Sequence, residues 1–166
     1  GIYKDLFKAS DEWRNYQCRP NQVVAMAVAP EIFTPKLARE ALDRLDHLLI
    51  VKNQSVGMKT LSPTDMAYNG NYDNSDDSHG WNYHNGPEWV WPLGYYLLAR
   101  LIFFEKDKHC VMKYLIPHQK LYLSSPWMSL PELTNESGSY CEDSCHAQAW
   151  SVGTIIEAMQ KLKQLK

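Results

Sequence analysis

The chain has 166 residues, 45% of them apolar and 22% charged, which suits one globular domain with a real core and argues against disorder. Its formal net charge of -2 supplies neither the basic field that nucleic acid needs nor a polybasic face for a membrane. Six Trp and ten Tyr are the departure from average, and many of them stand beside Asn, Asp, Ser and His, which cores avoid.

Apolar spacing near the helical period dominates and strand-like alternation is scarce, so the expected class is all-α. The chain opens on Gly1 without an initiator Met, its apolar pattern already running by Ile2, and reads as a cut piece of a longer protein. Arg19-Pro20-Asn21 precedes the first helix, expected over Asn21–Phe33 and ending near Ala29-Pro30. Asn21 can be its N-cap, whereas Arg19 suits a carboxylate or a sugar hydroxyl. Pro35–Ile50 is an amphipathic helix capped by Thr34, with Leu37, Ala41, Leu45, Leu48 and Leu49 on one face.

Asn53–Asn85 is long, irregular and rich in Gly, Asn, Asp and Ser; a loop of that length in a compact domain is usually functional or disordered, and its Met, Tyr and Trp favour function. Within it, YDNSDDSHG (Tyr72–Gly80) invites a calcium reading that fails. Ser78 stands where an EF-hand loop needs Gly, and His84 where it needs a bidentate Glu. Asp73, Asp76 and Asp77 remain candidates for sugar hydroxyls or for turns.

YHNGPEWVWP (Tyr83–Pro92) then sets Tyr83, Trp89 and Trp91 beside His84, Asn85 and Glu88 around a Gly86-Pro87 break. Flat rings next to short polar groups suit a sugar, whose faces are apolar and whose rim is hydroxyl. Two positions apart on a helix, Trp89 and Trp91 cannot face the same way, so one is expected in the core and one toward a pocket. Glu88–Phe104 is apolar nearly all round and reads as a buried helix too short to span a membrane. Asp107–Leu123 is a further helix that Pro117 must kink or end.

Ser125–Ser144 is a second functional loop centred on Glu132, which lies between an apolar approach and a polar exit. A carboxylate among apolar groups can serve as acid or base; the plainer alternative is a loop Glu facing water. Ser144–Leu162 closes the chain as a helix with Trp150, Ile155, Ile156, Met159 and Leu162 inward. Few and unevenly spread, Cys18, Cys110, Cys141 and Cys145 suggest reduced thiols in the cytoplasm. The Cys141, Cys145 and His146 spacing fits no standard zinc pattern. No Ser-His-Asp order, phosphate-cradling loop or HExxH is present.

At these residues the chain resembles a known family. YQCRPNQVVAMAVAP, GMKTLSP, YDNSDDSHGWNYHNGPEWVWPLGYYLLARL and SLPELTNESGSYCEDSCHAQAWSVGTIIEA are similar to the C-terminal region of the eukaryotic glycogen debranching enzymes. The resemblance covers essentially the whole chain. It implies the C-terminal part of an (α/α)6 toroid, incomplete here, bearing an amylo-α-1,6-glucosidase site. That activity removes the single glucose left at an α-1,6 branch of glycogen or limit dextrin, with inversion and without metal or cofactor.

The resemblance makes Glu132, in the PEL motif, the general base, and puts the general acid on an upstream Asp outside this chain. The expected partners are therefore glycogen and the upstream domains of the same enzyme. His84, Trp89, Trp91, Arg19 and Asn21 are the expected holders of the sugar, while Glu88, then Glu136 and Glu142, are weaker stand-ins for the acid. Rival readings are a glucan-binding piece that does not cleave and, more remotely, a helical toroid for isoprenoid chemistry. A ring lacking half its helices is further expected to expose the apolar surface of Glu88–Phe104 and to aggregate.

Overall fold

The computed structural model describes residues 1–73, 81–104 and 108–165. Asp76 and Asp77 lie outside the described residues, so the reading of the acidic loop goes no further. The described chain is mostly helical: α1 (Gln22–Val28), α2 (Pro35–Leu49), α3 (Trp91–Phe103), α4 (Lys108–Ser124) and α5 (Ala149–Gln164). Three two-residue strands, β1 (Met58–Lys59), β2 (Glu88–Trp89) and β3 (Leu133–Thr134), form one small antiparallel sheet in that order.

Helix α3 is the hub, packed against α1, α2, α4 and α5. Leu93, Tyr96 and Leu97 are fully buried on it, and they meet Met26 of α1 and Leu42, Leu45 and Leu49 of α2 in one core. The all-round apolarity of this segment thus finds cover within the chain, and does not form the exposed seam expected of it. Exposed apolar residues occur instead on α4 (Met112, Ile116, Leu123), on α5 (Trp150, Ile156, Met159) and in the connecting segments, Phe7, Met66 and Trp81 among them. Among the described residues no helix is long and apolar enough to cross a membrane.

Expectations about three elements, α2, α3 and α5, are corrected. The helix expected from Glu88 begins at Trp91, because Glu88 and Trp89 are held in the sheet, opposite Lys59 and Met58 on one side and Thr134 and Leu133 on the other. On α2 the buried face is Ala38, Ala41, Leu42, Leu45 and Leu49; Leu37, one position round the helix, is 50% exposed. Helix α4 runs through the buried Pro117 to Ser124.

Helix α5 starts at Ala149, since the preceding residues are tied back along the chain by Glu132 N–H to the Cys145 carbonyl (2.8 Å) and Gln148 N–H to the Leu130 carbonyl (2.9 Å). Its inward face is Ser151, Thr154, Ile155 and Ala158 rather than Trp150, Ile156 and Met159. Of the inward residues, Ser151, Thr154 and Ala158 are small, and α3 comes close there: a Cβ on Gly94 would stand 2.4 Å from the Thr154 Cβ.

Candidate active site

The sheet brings the two polar loops together. Gly86-Pro87 carries the chain from the 3-10 turn Trp81–His84 into β2, and Gly86 is required there because any Cβ would lie 1.9 Å from the Asn69 carbonyl oxygen. Thr60 fastens this crossing, its hydroxyl accepting from Gly86 N–H (2.9 Å) and donating to the Pro87 carbonyl (3.1 Å). Beyond β2, Val90 N–H donates to the Glu132 carbonyl (3.1 Å). Since Glu132 N–H is also bonded, to Cys145, both backbone groups of this residue are fixed and its side chain leaves from a set point.

Two neutral groups stand at the half-buried Glu132 carboxylate. Gln148 Nε2 donates to Oε1 at 3.1 Å, and Gln148 is itself oriented by the Ser151 hydroxyl on its Oε1 (2.9 Å). The second is the Tyr83 hydroxyl. Burial first, then the neighbouring Glu132 carboxylate, raise the Tyr83 hydroxyl far above its ordinary pKa, so it stays protonated.

Aromatic rings flank the carboxylate. The Trp89 ring is buried, its Nε1–H donating to the Tyr83 carbonyl (2.8 Å) and its face stacked on His84 with centroids 4.9 Å apart and planes at 25°. Tyr83 meets Trp89 edge-on at 4.8 Å. Burial and then the Arg19 guanidinium depress the His84 pKa, while Glu132 pulls it the other way, so the imidazole is neutral at pH 7. Trp91 packs onto the buried Trp89, Leu133 and Cys141 cluster, and it stacks on Trp150 at 4.1 Å with planes at 8°. Trp150, 49% exposed, is the ring of that pair that offers a face to solvent.

Arg19 braces this group from behind. Its guanidinium donates to the carbonyls of Thr60 (3.1 Å) and His84 (2.5 Å), to Asn85 Oδ1 (2.7 Å) and twice to Gln17 Oε1 (3.0 and 3.1 Å). Asn21 occupies the N-cap position of α1 without capping it, and its Nδ2 donates instead to Asp5 Oδ1 (2.9 Å). The structure therefore gathers Tyr83, His84, Trp89 and Glu132 into one cluster, sets Trp91 against it and Arg19 behind it, and shows Asn21 turned to Asp5.

Glu88 is the site's other carboxylate, and it is fully buried. Its Oε1 and Oε2 accept the N–H groups of Ser137 (3.0 Å) and Gly138 (3.1 Å). Burial raises its pKa to about 7 against the opposing pull of Ser55, those two amides and Lys59. Sequence reasoning passed over Gln148 and read Trp150 as core. The only signal for either was their place in the CHAQAWS stretch, sixteen and more residues beyond Glu132.

The arrangement can hold a flat apolar face beside a hydroxyl rim and take a proton from a water above Glu132. The sequence of the chain also matches known proteins. The family profile described as Amylo-alpha-1,6-glucosidase matches residues 1–157. The chain is 39% identical to the glycogen debranching enzyme of Saccharomyces cerevisiae (strain ATCC 204508 / S288c), over 98% of this chain and 12% of that protein. It thus spans about an eighth of the length of the curated relative it matches.

Proposed function

Because the chain belongs to the amylo-α-1,6-glucosidase family, we propose that it forms the general-base side of a site that hydrolyses α-1,6-linked glucose at glycogen branch points with inversion. Glu132 takes the proton of the attacking water. The observation that carries this reading is the hydrogen bond from Gln148 Nε2 to its carboxylate, with the Tyr83 hydroxyl beside it, on a backbone pinned at both its N–H and its carbonyl. Neutral groups aim the carboxylate without neutralising it, as a base requires.

His84, Trp89 and Trp91 shape the wall against which the branch-point glucose rests, Trp150 extends it with an open ring face, and Arg19 holds that wall from behind. Inverting hydrolysis needs two carboxyl groups roughly 6.5–9.5 Å apart with room for water between them. Glu88 is sealed from solvent and reaches no sugar, so the acid comes from upstream residues that complete an (α/α)6 toroid around this half. Glycogen as substrate places the work in the cytoplasm.

The same sealing of Glu88 favours a second reading, in which the chain by itself binds glucan and does not cleave it. One experiment separates the two: glucose release from a glucanotransferase-treated limit dextrin, by this chain alone and by the chain joined to the upstream portion of the yeast relative. Release by the joined chain, lost by about a hundredfold or more in Glu132→Gln, supports the glucosidase reading. Glucan binding without release in either form supports the binding module, and normal turnover by Glu132→Gln sinks the base assignment.

A further inference from the structure

We propose that Glu88 is a positioning residue for Glu132, clamping the Ser137–Gly138 turn onto strand β2 so that the strand end bearing Glu132 keeps its place. The inference rests on the glucosidase reading above.

A carboxylate with no exposed surface must be matched by donors or it is expelled. Glu88 is matched on every side. Ser137 (φ 61°) and Gly138 (φ 74°) both stand in the left-handed region, and this turns their two successive N–H groups toward one point, an anion-binding nest. Each carboxylate oxygen takes one of them. The Ser55 hydroxyl, which accepts from Val51 N–H, lies beside the same carboxylate.

The nest cannot be built otherwise: a Cβ on Gly138 would sit 2.5 Å from the Gln54 carbonyl oxygen, besides the strain of its φ. The other groups facing Glu88 are Lys59, its partner across β1, Thr134, its partner across β3, and Tyr68. Lys59 Nζ is bonded to Glu136 Oε1 (3.0 Å), which also accepts the Tyr68 hydroxyl (3.0 Å), so the side chain of the residue before the nest is fastened too.

This turn comes two residues after β3, and β3 follows Glu132 directly. Glu88 on β2 is joined to Glu132 through the strand pairing Glu88↔Thr134 and Trp89↔Leu133 and the bond from Val90 N–H to the Glu132 carbonyl. Anything that loosens the clamp shifts the base. Every donor to Glu88 favours its ionised form, and by reciprocity the ionised form grips the nest more tightly than the protonated one. Burial meanwhile puts the change of state near neutral pH. A Gln at this position offers one acceptor oxygen and turns its NH2 toward the other amide, donor against donor.

The test is the pH profile of glucose release by the joined chain, wild type against Glu88→Gln, with Glu132→Gln as reference. The expected result is a kcat lowered between ~10- and ~100-fold in Glu88→Gln with KM unchanged. A rise of kcat through about pH 7 in the wild type should also be missing from the variant. Wild-type kcat and profile in Glu88→Gln, with Glu132→Gln inactive, would overturn the clamp and leave the base standing. An active Glu132→Gln would overturn the reading on which the clamp rests. Should Glu88→Gln fail to fold, the amide resonances of Ser137 and Gly138 in the unmutated 166-residue chain decide. They should move together with a midpoint near pH 7, and their indifference between pH 5 and 9 would refute the clamp.

Discussion

The core around α3 and the layer around the small sheet are built on opposite plans. In the core, large apolar side chains fill space, and the few polar groups are paired at its edge: Arg100 with Asp43 (3.1 Å) and the Tyr96 hydroxyl (3.1 Å), and Asp46 with the Tyr114 hydroxyl and Lys52 (3.0 Å). In the sheet layer the buried residues include Lys59, Thr60, Ser62, Asn82, Glu88, Thr134 and Ser144. A packed core answers to volume, whereas a buried polar network answers to whether each partner is present. The difference teaches where a substitution will be felt as lost stability and where as lost geometry.

The largest effect should come from volume. Leu97→Ala, at a fully buried position on the hub helix, is expected to lower unfolding free energy by about 2–5 kcal/mol, read by urea denaturation. A loss below about 1 kcal/mol would mean that the α3 surroundings collapse to fill the space.

The next contrast is in pH. The folded pKa of Glu88 is raised from 4.5 to about 7, so its contribution to stability is fully present below pH 4.5 and lost as pH rises through 7. Glu88→Gln does not titrate. Between pH 5 and 8 the stability difference should therefore move against the wild type, by on the order of 2–3 kcal/mol, and thermal melts across that range measure it. Core variants should show no such drift. A flat difference would mean that the nest and Lys59 offset burial and keep Glu88 ionised throughout.

Trp150→Ala tests the boundary between the plans. Losing the stack on Trp91 should cost about 1 kcal/mol of stability. Removing the open ring face should weaken maltotriose binding by a similar amount, followed by intrinsic fluorescence. Unchanged binding beside lowered stability would assign the pair to packing alone.

The same contrast explains what was legible in the sequence. Helix α2 could be read because a period of 3.6 runs through more than ten residues, and α3 because it is apolar nearly all round over a helix's length. Strands of two residues have no period, so the sheet that joins both loops left no trace, and Glu88 read as the start of a helix. Trp150 read as core because nothing local says that Gly94 brings α3 close enough to demand small residues on α5. Glu132 stood out in its own motif, but Tyr83 and Gln148 reach it from 49 residues before and 16 residues after, and such meetings are set by the fold alone.

The smallest expected effect is the most exacting test of the core's plan, because it depends on a single step around a helix. Leu37 and Ala38 are neighbours on α2, yet one is 50% exposed and the other fully buried. Leu37→Ser removes a large apolar group that water already reaches, so stability should change by no more than about 0.5 kcal/mol. Ala38→Ser adds a single hydroxyl in the buried stripe that includes Ala41, Leu42 and Leu45, where an unsatisfied polar group costs about 1–3 kcal/mol. The larger chemical change should thus have the lesser consequence. If denaturation ranked the two the other way, the inward face of α2 would be the one that Leu37 and Leu48 mark, and the helix would be turned by one residue.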